Sequence, residues 1–570
     1  MSLLGALQVG KSSLVAQQAA IQVTGNNIAN AGTAGYTRET VNMAPAGTEQ
    51  IGMGNAIGTG VNIASVDQQV NAALEESLRG ATSDQSGAQA LNTSVSQLES
   101  TFGALNDNDL SARLTTFFNS FSTLANNPQD AGQRSVVIQN GVSLSSYITD
   151  LRSKISTQRQ TTETQIQTLS GQANNLVQTI ADYNGQIQSA EAGGGTASAL
   201  RDQRNTALSQ LSQLMDIRVV PQSNGQINVL TGSTPLIQGT TARTLTSKQT
   251  TDPTGKFVST ALVFGDTGDP VSVNSGQIGA LMNARDNYIT PALTTLDTVA
   301  NSLIGTVNSI HSQGQGLTGF SSVTGTTQVT NPAVALNTAG NGVAYLPANG
   351  TFNLNLKDAS GNITTQQIQV NLSGNGTQTT LASLAASINA AAGGQVTATV
   401  SPAGQLTLAS TSTNTSFTVS NDTSGVLASL GINTFFTGKD ASTIAVNQTV
   451  VGAPDLLATG RDNIAGSNRN AQAIALAGGA ASTTLGGQSL QDFYTQYIGN
   501  LASQSKTASD NSTSQQAIYT TISAQREAIS GVDMNEESVN LMKYQQGFQG
   551  SARYINVVNQ MMQTLLTMIA

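Results

Sequence analysis

The chain has 570 residues, of which 38% are hydrophobic, 10% charged and 4% aromatic, and its formal net charge is -9. That length exceeds a single hydrophobic core and predicts roughly two to four domains, while the hydrophobic share is too high for general disorder. Without clustered Lys and Arg the acidic balance excludes a nucleic-acid partner, and the absence of cysteine excludes disulfides, thiolate metal sites and cysteine nucleophiles.

In chain order, residues 3–29 read as one helix, with Leu4, Leu7, Leu14, Ile21 and Ile28 in a seam of heptad period. Asn30, Gly32 and Gly35 stop it, because Gly and Asn tolerate the left-handed backbone that closes a helix. The opening lacks the basic start and continuous apolar run of a secretory signal, and no stretch approaches the ~18 apolar residues of a membrane span. No membrane partner is expected. Residues 40–63, rich in Gly, read as an extended connector with short strand pieces, and helical pattern resumes near Val66 and runs to about Gln188. Within it Leu144, Ile148, Leu151 and Ile155, then Ile166, Leu169, Ala173, Leu176, Ile180, Tyr183 and Ile187, alternate three and four apart, the spacing of a packed rod.

After Gly193–Gly195 a second helix returns to Met215, predicting an antiparallel helical hairpin. From Ile217 the period changes to two and predicts short β-hairpins through Ile237. Gln277 to Ile310 is helical again, kinked or divided at Pro291. Phe352, Leu354 and Leu356, a turn at Asp358–Asn362, and Ile368, Val370 and Leu372 mark a separate β domain. The helical body resumes near Asn463, and from Leu541 the apolar residues Leu541, Tyr544, Phe548, Ile555, Val558, Met562, Leu565 and Ile569 form a closing seam, broken only by Ser551. The fold class is therefore mainly α with a β insert. A terminal α-helical coiled coil (1–45 with 530–570) encloses a helical-rod body (46–330, carrying β-hairpins, with its return at 451–529), which encloses a nested β domain (331–450).

No motif survives as a catalytic site, and no cofactor or metal is expected. Gly5 to Ser12 matches a P-loop string, but a phosphate cradle needs a strand before the loop, and here Leu4, Leu7 and Leu14 carry one helical face straight through it. Gly52, Gly54 and Gly58 lack the flanking strand and helix of a dinucleotide loop. His311, the only histidine, closes a helix, where an imidazole or cation suits the C-terminus. Asp533, Glu536 and Glu537 sit at a helix start, where negative charge suits the exposed N–H groups. Met561, Met562 and Met568 fall at helical spacing and read as coiled-coil core.

The segment Asn26-Asn-Ile-Ala-Asn-Ala-Gly-Thr-Ala-Gly-Tyr36-Thr-Arg38 resembles the N-terminal signature of the bacterial flagellar rod, hook and hook-associated proteins, and Val532 to Ile555 resembles their C-terminal signature. Leu200–Asn205, Ile237–Arg243, Gly276–Leu281 and Phe435–Asn447 are similar to stretches of the members that join hook to filament, and Leu381–Asn389 with Val396–Leu408 is similar to a repeat of flagellins. The family usually has proline where this chain has Ala34.

The resemblance implies a structural protein of the extracellular flagellum and not an enzyme. It implies type III export in the unfolded state, through the flagellar export apparatus with an export chaperone, and self-assembly as a helical ring. The implied neighbours are the hook protein on one side and a second junction protein and the filament on the other. A hook or distal-rod paralogue, or a surface adhesin carried by the β domain, are the alternatives. The candidate assembly seam is Leu7, Leu14, Ile21, Ile28, Leu541, Phe548, Ile555, Met562 and Leu565. Asn26, Asn27, Asn30, Gly35 and Tyr36 are the motif residues expected to fix the exit from the first helix.

Overall fold

The computed structural model describes residues 3–52, 55–103, 109–251, 255–343, 345–461 and 463–569, with only the backbone of Ile51, Gly52, Asn55 and Ile569. Gly54 of the glycine-loop reading and the side chain of Ile569 in the closing seam lie outside the described residues.

Helix α1 (Leu3–Asn30) leads into β1 (Glu39–Pro45), β2 (Thr48–Gly52), β3 (Asn55–Gly58) and β4 (Val61–Gln68), in which β1 pairs antiparallel with β4 and β2 with β3. The connector is thus a hydrogen-bonded hairpin arm. Val66, where the sequence predicts helix to resume, lies in β4 opposite Val41. The helix starts later because Asn71 is its cap: Asn71 Oδ1 accepts from the N–H groups of Ala73 and Leu74.

Next come α2 (Ala72–Phe102), α3 (Leu110–Asn126), α4 (Ala131–Glu191) and α5 (Ser198–Leu214). The two rod patterns belong to one 61-residue helix, α4. Strands β5 (Arg218–Pro221), β6 (Ile227–Thr231), β7 (Thr234–Gln238) and β8 (Thr241–Ala242) form a meander, and β9 (Leu245–Thr251) pairs with β10 (Val258–Phe264). Then α6 (Gly276–Ala284) passes through a π-helical turn, Arg285–Ile289, into α7 (Thr290–His311), with Pro291 in the first turn of α7. There proline's missing N–H costs nothing, so Pro291 divides the helix.

The β-rich stretch holds β11 (Ser322–Thr324), β12 (Gly350–Lys357), β13 (Ile363–Val370), α8 (Leu381–Ala392), β14 (Val396–Val400), β15 (Leu406–Ser410), β16 (Ser416–Ser420), α9 (Val426–Leu430), β17 (Phe436–Thr437) and β18 (Ala445–Val446). The chain closes through α10 (Gln448–Gly452), α11 (Arg469–Ala477), α12 (Leu490–Ser530) and α13 (Met534–Ile569). No helix among the described residues is long and apolar enough to cross a membrane.

These elements divide into two compact units: Met1–Ser94, Thr161–Arg285 and Lys506–Ala570 form the first, and Val95–Gln160 with Asp286–Ser505 the second. In the first, the rod residues Ile166, Ala173, Val177 and Ile180 share one core with Leu208 and Leu211 of α5 and with Val229, Leu236 and Ile237 of the meander. The second has a β core in which sheets β13-β12-β16 and β11-β15-β14 close over α8 through Phe352, Leu354, Ile388, Leu408 and Phe417.

Two buried basic groups rivet the helical part of the second unit. Arg134 is 0% exposed. Its Nε and Nη2 donate to Pro128 O, Nη1 donates to Leu457 O at 2.8 Å, and Nη2 also reaches Thr459 Oγ1 at 2.6 Å. Carbonyls alone satisfy all three nitrogens' demand apart from that one hydroxyl, which is why a carboxylate is dispensable here.

Of the two expectations for His311, imidazole or cation, the structure takes the imidazole. Its Nε2 accepts from Ala458 N–H at 3.1 Å, so the proton sits on Nδ1, which donates to Asn433 O at 2.9 Å. Burial, helped by the nearby Arg134 charge, lowers its pKa from 6.5 to about 4. The imidazole is neutral and ties α7 to two loops.

This has a pH consequence. Between pH 6.5 and 4 the unfolded chain takes up a proton that the folded chain refuses, so folded stability falls as pH falls through that window. At about 1.4 kcal/mol per unit the loss approaches roughly 3 kcal/mol. Thermal melts at neutral and mildly acidic pH should show a steeper loss for the native chain than for His311→Gln, whose amide does not titrate.

Candidate functional site

The two end signatures meet at one buried cluster in the first unit. Asn27, in the last turn of α1, is 1% exposed and uses every hydrogen-bonding position it has. Its Nδ2 donates to Glu39 O at 2.8 Å and Glu537 Oε2 at 3.1 Å, while its Oδ1 accepts from Glu39 N–H at 3.0 Å and Tyr36 O–H at 2.9 Å. Burial, then the charges of Glu39, Asp202 and Glu537, push the Tyr36 pKa up, so the phenol stays a donor.

Glu537 is 2% exposed. Arg38 compensates its charge, with Nε 2.8 Å and Nη2 2.7 Å from Glu537 Oε1, and also forks onto Glu536 at 3.1 and 2.8 Å. Burial alone would lower the Arg38 pKa, but the hydrogen bonds to Glu536 and Glu537 outweigh it and hold it above its ordinary value. Arg38 N–H also donates to Ser530 O, and Thr37 N–H to Asp202 Oδ2. The strap 36–39 is therefore fastened to α1, α5, the end of α12 and the start of α13.

This corrects the capping expectation for the acidic trio. Asp533 does cap α13, its Oδ1 accepting from the N–H groups of Asn535 and Glu536. Glu536 and Glu537 instead ion-pair with a residue about 500 positions away. Sequence reasoning noted Arg38 as present but gave it no role, since nothing local signals a partner at the far end of the chain.

The other motif residues shape the exit. Asn30 Nδ2 donates back to Asn26 O and Oδ1, both at 3.0 Å, closing the last turn of α1. Tyr36 N–H donates to Thr33 O at 3.2 Å across Ala34 and Gly35, and Gly35 has φ +80°. That is a type II turn, which requires glycine at its third position and favours proline at its second, the place of Ala34.

Helices α1 and α13 pack against each other antiparallel. Ser13 Oγ and Ser551 Oγ are 2.7 Å apart, so the break in the C-terminal seam is itself a contact. A Cβ on Gly10 would fall 2.6 Å from Ile555 Cγ1, and one on Gly547 would fall 2.8 Å from Gln17 Cδ. The inner face of α1 is thus made of small residues: Gly10, Ala16, Ala20 and Thr24 are its buried positions, with Asn27. Leu7, Leu14, Ile21 and Ile28 are half-buried, as are Leu541, Ile555 and Met562, while Phe548 and Leu565 are exposed. Met561 and Met568 are exposed too, correcting the core reading of those methionines. Gly5 to Ser12 is helical throughout, with Lys11 exposed and Gly10 against Ile555, so the P-loop string forms no loop.

Comparison with known proteins finds likenesses to these features among flagellar proteins. Residues 95–328 match the flagellar hook-associated protein FlgK helical domain, residues 7–37 the flagella basal body rod protein family, residues 524–568 the flagellar basal body rod FlgEFG protein C-terminal family, and residues 351–412 the flagellin hook IN motif. The chain is 27% identical to flagellar hook-associated protein 1 of Escherichia coli, over 97% of this chain and 98% of that protein. It is 26% identical to that of Salmonella typhimurium over the same shares. The solved flagellar hook junction protein FlgK from Burkholderia pseudomallei is similar in fold, with a TM-score of 0.52, 18% identity, and coverage of 80% of this chain and 100% of that one. These matches bear out the resemblance carried by the two end signatures and specify it to hook-associated protein 1.

The knot yields two predictions. Arg38→Gln strands the Glu537 carboxylate in the interior and should cost ~3 to 5 kcal/mol, whereas the double variant Arg38→Met/Glu537→Leu should recover most of it. Amide exchange over residues 26–39 and 534–541 reads both. Ala34→Pro removes no hydrogen bond, because Ala34 N–H makes none, and should stabilise the same segment by about 0.4 to 1 kcal/mol in the same measurement.

Proposed function

We propose that the chain, a flagellar axial protein of the hook-associated kind, is a structural subunit that assembles with copies of itself into the junction between hook and filament. The observation that carries the reading is the outer surface of the terminal helix pair. On the α1 side small residues occupy its inside, and many large apolar ones are left outside: Leu4 is 73% exposed, Leu566 66% and Met568 79%, with Met542, Val557 and Met561 each more than half exposed. An apolar surface of that extent on a soluble protein marks a contact with another macromolecule. On a helix pair with two distinct edges it suits head-to-tail contacts that propagate around a ring.

In this reading Leu7, Leu14, Ile21, Ile28, Leu541, Phe548, Ile555, Met562 and Leu565 pack between helices of neighbouring subunits as well as within one. The knot at Asn27, Tyr36, Arg38 and Glu537 sets where the pair leaves the rest of the subunit. The hook protein bounds the ring on one side and a second junction protein and the filament on the other. Unfolded export through the flagellar apparatus, with an export chaperone, delivers the chain to the outside of the cell. No catalytic role is assigned: the relatives that span the chain are structural proteins of the flagellum.

Leu566→Asp places a charge on that outer surface, where the side chain stands largely exposed, and should leave both units folded while abolishing incorporation. Electron microscopy of flagella from cells carrying it should show hooks without filaments, and normal filament attachment would count against the proposal. In the monomer, amides of residues 4–28 and 541–569 should exchange faster than those of α4 and α7 and become protected on assembly. Equal protection before assembly would show that the ends need no neighbours.

A further inference from the structure

One arginine of the first unit lacks the partners that its burial demands. Arg204, on α5, is 5% exposed. Its Nη1 donates to Asn184 Oδ1 and Gly225 O, each at 2.9 Å, and its Nε has no acceptor. The acid that acts on it, Glu191, is already committed: both its oxygens lie 2.7 Å from Arg201, and it accepts the Ala197 N–H as well. Arg134 shows what a buried guanidinium takes when no carboxylate serves it, with all three nitrogens hydrogen-bonded. Arg204 has one nitrogen so served. Burial, then the neighbouring Arg201 charge, lower its pKa to about 10, so it is still a cation at neutral pH.

Arg204 lines a groove of about 1080 Å³ walled by the start of α2, the end of α4, α5 and the turn Gln222–Gly225. The remaining acids on those walls are also engaged: Glu76 with Arg79, Glu75 with Arg526, and Asp67 with Asn42 and Ser65. Arg201 shares the groove and uses only Nε and Nη2 on Glu191. Buried charge is stable when its hydrogen-bonding positions are filled, and among the described residues none fills the remaining ones of Arg204.

We propose that this groove is an oxyanion site, in which a carboxylate or phosphate group seats against the Arg204 guanidinium with Arg201 as the second donor. The planar fork of arginine suits both anions. The oxyanion comes either from solution or from an acidic side chain of a second copy of this chain.

Calorimetric titration of the full chain with acetate and with inorganic phosphate, at constant ionic strength, reads the first source. Sedimentation over a concentration series without either anion reads the second. One of the two should respond, and Arg204→Gln should weaken that response about tenfold or more, the worth of one charge-assisted contact. Arg204→Lys keeps the charge but not the fork and should recover part of it. Arg201→Gln tests the same point without touching the buried residue, because it frees Glu191 to neutralise Arg204 from within and should weaken the response to a similar extent. Melting curves verify that each variant is folded. The proposal is overturned if the native chain neither binds acetate or phosphate nor self-associates, or if the folded variants respond as the native chain does.

Discussion

A single carboxylate, that of Glu537, constrains how the ends of this chain can be arranged. Removed from water at the start of α13, it is tolerable only with a cation and hydrogen-bond donors in place. Those come from Arg38 and Asn27, 499 and 510 residues away in sequence. The charge is therefore neutralised only when the first and last helices have come together in one register. Asn27 tightens the condition further, because rotating its amide would break its bonds to Glu39, Tyr36 and Glu537 at once. Glu536, more than half exposed, adds little energy and mainly completes the fork around Arg38.

The same cluster explains why the exit from α1 is spelled as it is. Asn30 closes the helix, Gly35 supplies the positive φ of the turn, and Tyr36 reaches back to Asn27. Each residue does a local job whose result is to deliver Arg38 to a fixed place. Seen alone, an Asn-rich stretch before a Gly-containing turn says only that a helix stops.

Much of the fold was legible because its signals are local. Heptad spacing located α1, α4 and α13, period-two patterning located the β6–β7 and β12–β13 hairpins, and Pro291 marked the division before α7. The start of α2 was missed because Asn71 caps it silently, while Val66 continues a strand whose partner lies across an arm of hairpins. The candidate site was half legible. Asn27, Gly35 and Tyr36 stood out by resemblance, but the pairing of Arg38 with Glu537 depends on contacts that no local pattern encodes. The small buried and half-buried residues of α1 were invisible for a different reason: Gly10, Ser13, Ala20 and Thr24 carry little hydrophobic signal, so leucine spacing alone does not show them.

The small residues of α1 point to the logic of the helix pair. Had the leucines of α1 faced α13, the pair would bury its apolar surface internally and have little reason to bind anything else. Small residues on the inside let the backbones approach closely and gain dispersion contacts, yet they withdraw little apolar area from water. Apart from Ile555 and Val558 of α13, many of the large side chains stay exposed on the outside of the pair. Polar staples, not burial, then fix the register within the subunit, through Ser13 with Ser551 and Asn27 with Glu537. The outer apolar surface is thereby left without a cover inside the subunit, which is what the proposed contacts between subunits require.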